Sequence, residues 1–204
     1  MYIGLFGLTV NLPAQIVGLI GLIMIAVSYQ FAKVRYLVWS TAAMAFFLAE
    51  SCILYADSDT VTGIVINATA IVRNIAMIFW ALKKGRELPP VLAAAFLAPM
   101  WAVCAFYFGA WYTYLPPVLQ TVYTFCAVSK NYFVLKTGAL ILESGNFFYN
   151  ASVGAYIGAV RQIVLVTSVV ASIVRAAAVS RKAKAESVKE APVNSEKKAV
   201  SKKM

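Results

Sequence analysis

Histidine is absent from the 204 residues, acidic side chains number only eight, and the three cysteines form no C-x-x-C pair. The first absence removes the commonest metal ligand and the usual proton switch near neutral pH. Cys52, Cys104 and Cys126 all lie inside apolar runs, where they read as small buried hydrophobes and not as disulfide or metal partners. No Walker loop, nucleophile elbow, dinucleotide fingerprint or metal-binding helix motif occurs, so neither an enzyme nor a bound cofactor is expected. Charge is scarce too. Only 13% of residues are charged and 62% are hydrophobic, against about 25% and roughly 45–50% in soluble domains. Such a chain is not disordered, collagen-like or disulfide-built. Its net charge of +10 would suit a nucleic-acid binder, so the positions of the basic residues decide the class.

The apolar residues fall into runs near the roughly 20 residues that cross a bilayer. They cover Ala14 to Ala32, Tyr36 to Tyr55, Val61 to Leu82, Pro89 to about Phe108, Pro116 to Ser129, Thr137 to Asn150 and Val153 to Arg175. Asn11 and Pro13 make a cap-like entry to the first, and Pro99 predicts a kink in the fourth. The first 13 residues carry no Lys or Arg, so no signal peptide is read there. The basic residues then sort themselves. Lys33 and Arg35, then Lys83, Lys84 and Arg86, then Lys130 and Lys136 occupy alternate connections, and nine more lie from Arg175 onward. The opposite connections hold Asp57, Asp59, Trp111, Tyr112 and Tyr114. Basic loops remain cytoplasmic and interfacial Trp and Tyr mark the headgroups. The reading is therefore an all-α integral membrane protein with seven transmembrane helices, N-terminus outside and C-terminus inside, and no nucleic-acid partner. Residues 176–204 have no lasting periodicity and read as a disordered basic cytoplasmic tail. Anionic lipid headgroups are its expected contact.

An internal repeat is also visible. With a shift of 101, Ala26-Val27-Ser28 falls on Ala127-Val128-Ser129, Phe46-Phe47 on Phe147-Phe148, Ser51 on Ser152 and Arg35 on Lys136. At an offset of 88, Ile71-Val72-Arg73-Asn74-Ile75 lies on Ala159-Val160-Arg161-Gln162-Ile163. Three spans, one spacer and three spans make a 3+1+3 parallel repeat, an arrangement known from transporters. Residues 1–175 form the membrane domain. Its first triplet covers about 14–82, its linker helix about 89–108 and its second triplet about 115–175.

The residues carrying function must be the polar ones inside the spans. Glu50, Arg73, Glu143 and Arg161 each cost roughly 2.5–3.5 kcal/mol at a helix centre on insertion scales, so each should meet a partner or a wet cavity. Glu143, Asn146 and Asn150 are spaced i, i+3, i+7 and form one stripe, which should face the bundle interior. Asn67 and Asn74 share a face of span three, as Gln120, Thr121 and Thr124 do in span five. Helix rise puts Glu50 and Arg161 both roughly 20 Å from the cytoplasmic end, and Arg73 and Glu143 both at roughly 9–14 Å. The expected pairs are Glu50 with Arg161 and Glu143 with Arg73. Gly154 and Gly158 form a G-x-x-x-G packing motif in span seven.

Ser28-Tyr29-Gln30, the Ile66-Asn67 to Arg73-Asn74 segment, and the stretch from Leu115-Pro116 through Arg161 resemble the YgjV-type bacterial inner-membrane protein family. The resemblance covers roughly the first 175 residues and leaves out the tail. It implies an inner-membrane location and a distant kinship with the sugar-transporter and PQ-loop group of three-plus-one-plus-three helix proteins. Ser28-Tyr29-Gln30 sits where that group has its proline-glutamine pair, and the proline is absent here. The expected function is transport of a small polar or anionic solute. Its site would be built from Glu50, Asn67, Arg73, Asn74, Glu143, Asn146, Asn150, Arg161 and Gln162. The competing expectation is a non-transporting receptor or assembly protein in which the buried charges are structural. Expected partners are the lipid bilayer, the solute and, with homo-oligomerisation open, further copies of the chain.

Overall fold

The computed structural model describes residues 2–5, 8–55, 61–106, 114–152 and 156–201. Asp57, Asp59, Trp111, Tyr112 and Gly154 lie outside the described residues. The chain opens on two strands, β1 (Tyr2–Leu5) and β2 (Leu8–Asn11), paired antiparallel with Tyr2 opposite Asn11 and Leu5 opposite Leu8. Apart from this short hairpin the secondary structure of the described residues is all-helical, as expected. Tyr2, Ile3, Thr9 and Val10 favour extended backbone, and pairing of the two strands satisfies alternate peptide groups between them.

Eight helices follow among the described residues: α1 (Leu12–Ser28), α2 (Lys33–Tyr55), α3 (Val61–Lys84), α4 (Pro90–Ala95), α5 (Ala98–Phe106), α6 (Leu115–Ala127), α7 (Tyr132–Ser152) and α8 (Tyr156–Ser201). Their ends follow local chemistry. Asn11 caps α1, its Oδ1 accepting from the Ala14 N–H at 3.3 Å, with Pro13 in the first turn. Gly85 takes φ +61° just beyond α3, a left-handed helix stop that suits glycine. The fourth apolar run is broken into α4 and α5 at Phe96–Leu97, because Pro99 has no N–H for the Ala95 carbonyl. Leu97 N–H turns instead to Ala94 O at 3.0 Å. Asn131 starts α7 well before the expected Thr137, accepting from Phe133 N–H at 2.9 Å. The tail is corrected as well. The helix that opens at Tyr156 continues to Ser201, since Ala, Lys and Glu are strong helix formers even without an apolar stripe.

α1, α2 and α3 pack in sequence, as do α6, α7 and α8. The two groups meet where α1 lies on α8, and α4 and α5 lie between them, α4 against α6 and α5 chiefly against α3. Within α7, a Cβ on Gly138 would overlap Cys126 of α6, so the two helices are in close contact there. Gly138→Ala is expected to cost about 1–3 kcal/mol by overpacking, read as a lowered melting temperature in detergent.

Polarity is distributed inside out. Arg73, Asn74, Thr124, Lys136 and Glu143 are buried, while Ile16, Leu19, Ile23, Val160, Ile163 and Val174 are exposed. A continuous apolar exterior of this kind suits hydrocarbon and not water. Among the described residues, three helical stretches are long and apolar enough to cross a membrane: Lys33–Leu54, Ile64–Lys84 and Gly158–Arg181. Leu12–Ser28 and Pro90–Phe106 are shorter apolar segments. α6, with 13 residues, rises only about 20 Å against a hydrocarbon core of about 30 Å.

Candidate functional site

A cavity of about 550 Å³ opens between the two helix groups. Its polar wall contains Glu50, Asn67, Glu143, Asn146, Asn150, Arg161 and Gln162, seven of the nine residues singled out in the sequence. Leu22, Ile25, Phe47 and Leu165 supply the apolar remainder. The Glu143–Asn146–Asn150 stripe of α7 does face inward, as its spacing requires. Arg73 and Asn74 are not on the wall. They sit behind Gln120, which is.

Arg161 of α8 reaches across to the first helix group. Its Nη1 donates to Glu50 Oε1 at 2.6 Å and its Nη2 to Gln15 Oε1 at 2.8 Å. The expected Glu50–Arg161 pair is therefore present, with Gln15 as an unexpected third member. Gly18 makes it feasible, since a Cβ there would run into the Glu50 carboxyl group. Gly18→Ala is expected to displace that carboxyl and lower the melting temperature, and to have no further cost in a Glu50→Ala background. A full cost in that background would show that Gly18 serves some other contact.

Arg73 of α3 makes the reciprocal reach toward the second group, but not to the expected carboxylate. Its Nη1 donates to Gln120 Oε1 at 3.0 Å and Thr124 Oγ1 at 2.8 Å, both on α6. Nε and Nη2 donate to Asn74 Oδ1 at 3.3 and 3.1 Å, and Asn74 in turn donates to Ser40 Oγ at 3.4 Å. The guanidinium also lies 5.0 Å from the Tyr123 ring centroid. The Glu143–Arg73 pairing is thereby corrected. Neutral acceptors and a π-face compensate this cation.

Glu143 is instead held by Tyr29, whose hydroxyl donates to its carboxylate. The Tyr29 ring stacks on Tyr36 at 5.6 Å, and Tyr36 shares a 2.5 Å hydroxyl contact with Tyr123. None of these three rings lines the cavity. Lys136, assigned from the sequence to a cytoplasmic connection, is fully buried in α7. Its Nζ donates to Tyr29 O at 2.8 Å and sits 5.3, 4.5 and 5.2 Å from the centroids of Tyr29, Tyr36 and Tyr132. Lys136 and Glu143, two turns apart on one face, thus grip Tyr29 at its carbonyl and its hydroxyl. Ser172 Oγ of α8 adds a 2.6 Å bond to the same carbonyl. Nearer the basic end, Lys33 contacts Glu87 at 2.5 Å and Ser129 O at 2.7 Å, and Gln30 donates to Ser168 Oγ at 3.1 Å. The two groups are thus tied together on that side. Lys33→Met is expected to cost only about 0.5–1 kcal/mol, because the pair is partly solvated, and its effect should shrink in high salt.

Gln15, Gly18, Tyr29, Tyr36, Tyr123 and Lys136 were not among the expected site residues. The sequence signal for two of them was modest. Tyr29 lies inside the Ser28-Tyr29-Gln30 segment and Lys136 aligns with Arg35 in the repeat. At the cavity, Asn146 and Asn150 make no side-chain hydrogen bond among the described residues, and the buried Gln162 Oε1 has no partner there. These amides, with Gln120 and Asn67, offer donors and acceptors to a solute without a net charge.

No curated protein and no solved structure matches the chain. A family model described as bacterial inner membrane protein, Imp-YgjV, matches residues 12–179. That match spans every helix of the cavity, and the chain belongs to the Imp-YgjV family of bacterial inner membrane proteins.

Proposed function

We propose that this protein is a non-enzymatic carrier of a small polar solute across the bacterial inner membrane, with the solute held between two triplets, α1–α3 and α6–α8. The observation that carries this reading is a cavity at their junction whose wall presents the side-chain amides of Asn146 and Asn150 and the Oε1 of Gln162, none of which has a hydrogen-bond partner among the described residues. The solute need not be anionic. Arg161 is engaged by Glu50 and Gln15, and Arg73 stands behind Gln120. The reciprocal reach of the two arginines supports a 3+1+3 parallel repeat: Arg73 meets Gln120 at the start of one triplet, and Arg161 meets Gln15 at the start of the other. Alternating access would then come from rocking one triplet against the other, with the Lys33, Gln30 and Lys136 ties breaking as the basic side opens. The clustering of basic residues supports a cytoplasmic position for that side and for the C-terminus. Seven crossings, anionic lipid at the tail and the bilayer itself complete this reading.

A second reading, a receptor or assembly protein with structural ion pairs, is favoured by Arg73, each of whose guanidinium nitrogens donates to an internal acceptor. Thermal shift with a panel of radiolabelled amino acids, polyols and organic acids separates the two, followed by proteoliposome flux of any stabiliser. A carrier gives a compound that stabilises the wild type, fails to stabilise Asn150→Ala, and crosses the vesicle membrane. No stabilisation and no flux across the panel would favour the second reading.

A further inference from the structure

Glu143 is a cavity-wall carboxyl with an unusual environment. It is 3% exposed. Among the described residues its hydrogen-bond partner is the Tyr29 hydroxyl, and no cation lies within ion-pair distance. The groups around it are accounted for element by element. The residue closing α1 is Tyr29, α2 presents Tyr36, and α6 presents Tyr123 and Cys126. On α7, Lys136 points to the Tyr29 carbonyl. Across the cavity, Glu50 of α2 and Arg161 of α8 neutralise one another, and Arg73 of α3 is turned to α6. A fixed negative charge here would have one hydrogen bond and no counter-charge in a low-dielectric interior, an arrangement that strongly favours uptake of a proton.

We infer that Glu143 is a proton-binding site reached through the cavity, and that this proton is the ion coupled to solute passage; the second clause rests on the carrier reading. The carboxylate takes one proton from cavity water to become a carboxylic acid, and Tyr29 keeps its own proton and remains the donor. The link to movement is direct. Tyr29 belongs to one triplet and Glu143 to the other, so charging or neutralising the carboxyl alters a contact between the two bodies.

The test needs no solute. Infrared difference spectra of the purified full-length protein in lipid would be recorded from about pH 4 to about pH 9, a range that covers exposed and buried carboxyls. The expected result is a protonated-carboxyl C=O band that is lost in Glu143→Gln, kept in Glu50→Gln, and shifted at once when H2O is replaced by D2O. Tyr29→Phe should move that band by removing its hydrogen bond, which preserves the test if Glu143→Gln fails to fold. A spectrum without a titrating carboxyl band, a band that survives Glu143→Gln, or one unchanged in Tyr29→Phe would overturn the site. A band resistant to D2O would overturn access from the cavity. If the band behaves as expected and the solute panel gives neither binding nor flux, the proton site stands and the coupling and carrier readings fall together.

Discussion

Glu50→Gln is expected to lower stability by about 3 kcal/mol, toward the low end for breaking a buried ion pair, because it leaves Arg161 inside the bundle with only Gln15. Arg161→Gln should cost a similar amount by stranding the carboxylate. The two side chains are 9% and 19% exposed, so cavity water screens them partly and the high end of the range is not expected. The double neutral variant should cost less than the sum of the singles, with a coupling of about 1–3 kcal/mol. Thermal unfolding of all four proteins in one detergent measures it. Additive losses would mean that the 2.6 Å contact contributes nothing to the fold. A reversal of the charges is a poorer test in this chain, since an arginine at position 50 would have to fit over Gly18, where the Glu50 carboxyl already fills the space.

Tyr29→Ala should be more damaging still, at about 4 kcal/mol, within the range for removing a buried aromatic ring. The ring is 1% exposed. Its loss removes the stack on Tyr36, one wall of the Lys136 cage and the donor to Glu143 in a single step. Tyr29→Phe keeps the first two and should cost about 1–3 kcal/mol for the unsatisfied carboxyl. The ratio of the two losses separates packing from hydrogen bonding. Equal losses would place the whole effect in the hydroxyl, and a silent Tyr29→Phe would show that Glu143 does not depend on it.

The sequence carries depth more reliably than direction. Glu50 and Arg161 share a depth and also face one another, so counting helix rise finds their pair. Arg73 and Glu143 share a depth too, yet they look in different directions. Arg73 faces α6, where Gln120 and Thr124 accept from it, and Glu143 faces α1. The rotation of one helix against its neighbours is a property of packing, which a linear pattern does not contain. Lys136 was misplaced for a related reason. A cation near a helix end reads as a loop residue by charge alone, and the three tyrosines that receive it come from the end of α1, from α2 and from α7 itself. The inward stripe of α7 was legible because i, i+3, i+7 spacing is a property of one helix. The strands at the N-terminus and the helical tail were not, since short β-branched runs and Ala-Lys-Glu stretches leave no hydrophobic period to follow.

The division between α4 and α5 has a mechanical consequence. An unbroken helix between the triplets would act as a strut, carrying any tilt of one directly to the other. Here one of the i to i+4 bonds that would span the division, the one from the Ala95 carbonyl to position 99, cannot form because that residue is proline. Flexing at Phe96–Leu97 therefore works against fewer hydrogen bonds than in an unbroken helix, chiefly the Leu97 N–H to Ala94 O bond at 3.0 Å. α4 leans on α6, and α5 chiefly on α3 with a smaller contact to α6, so under the carrier reading the division would let the connector follow a change in the mutual angle of the two halves while remaining seated on both.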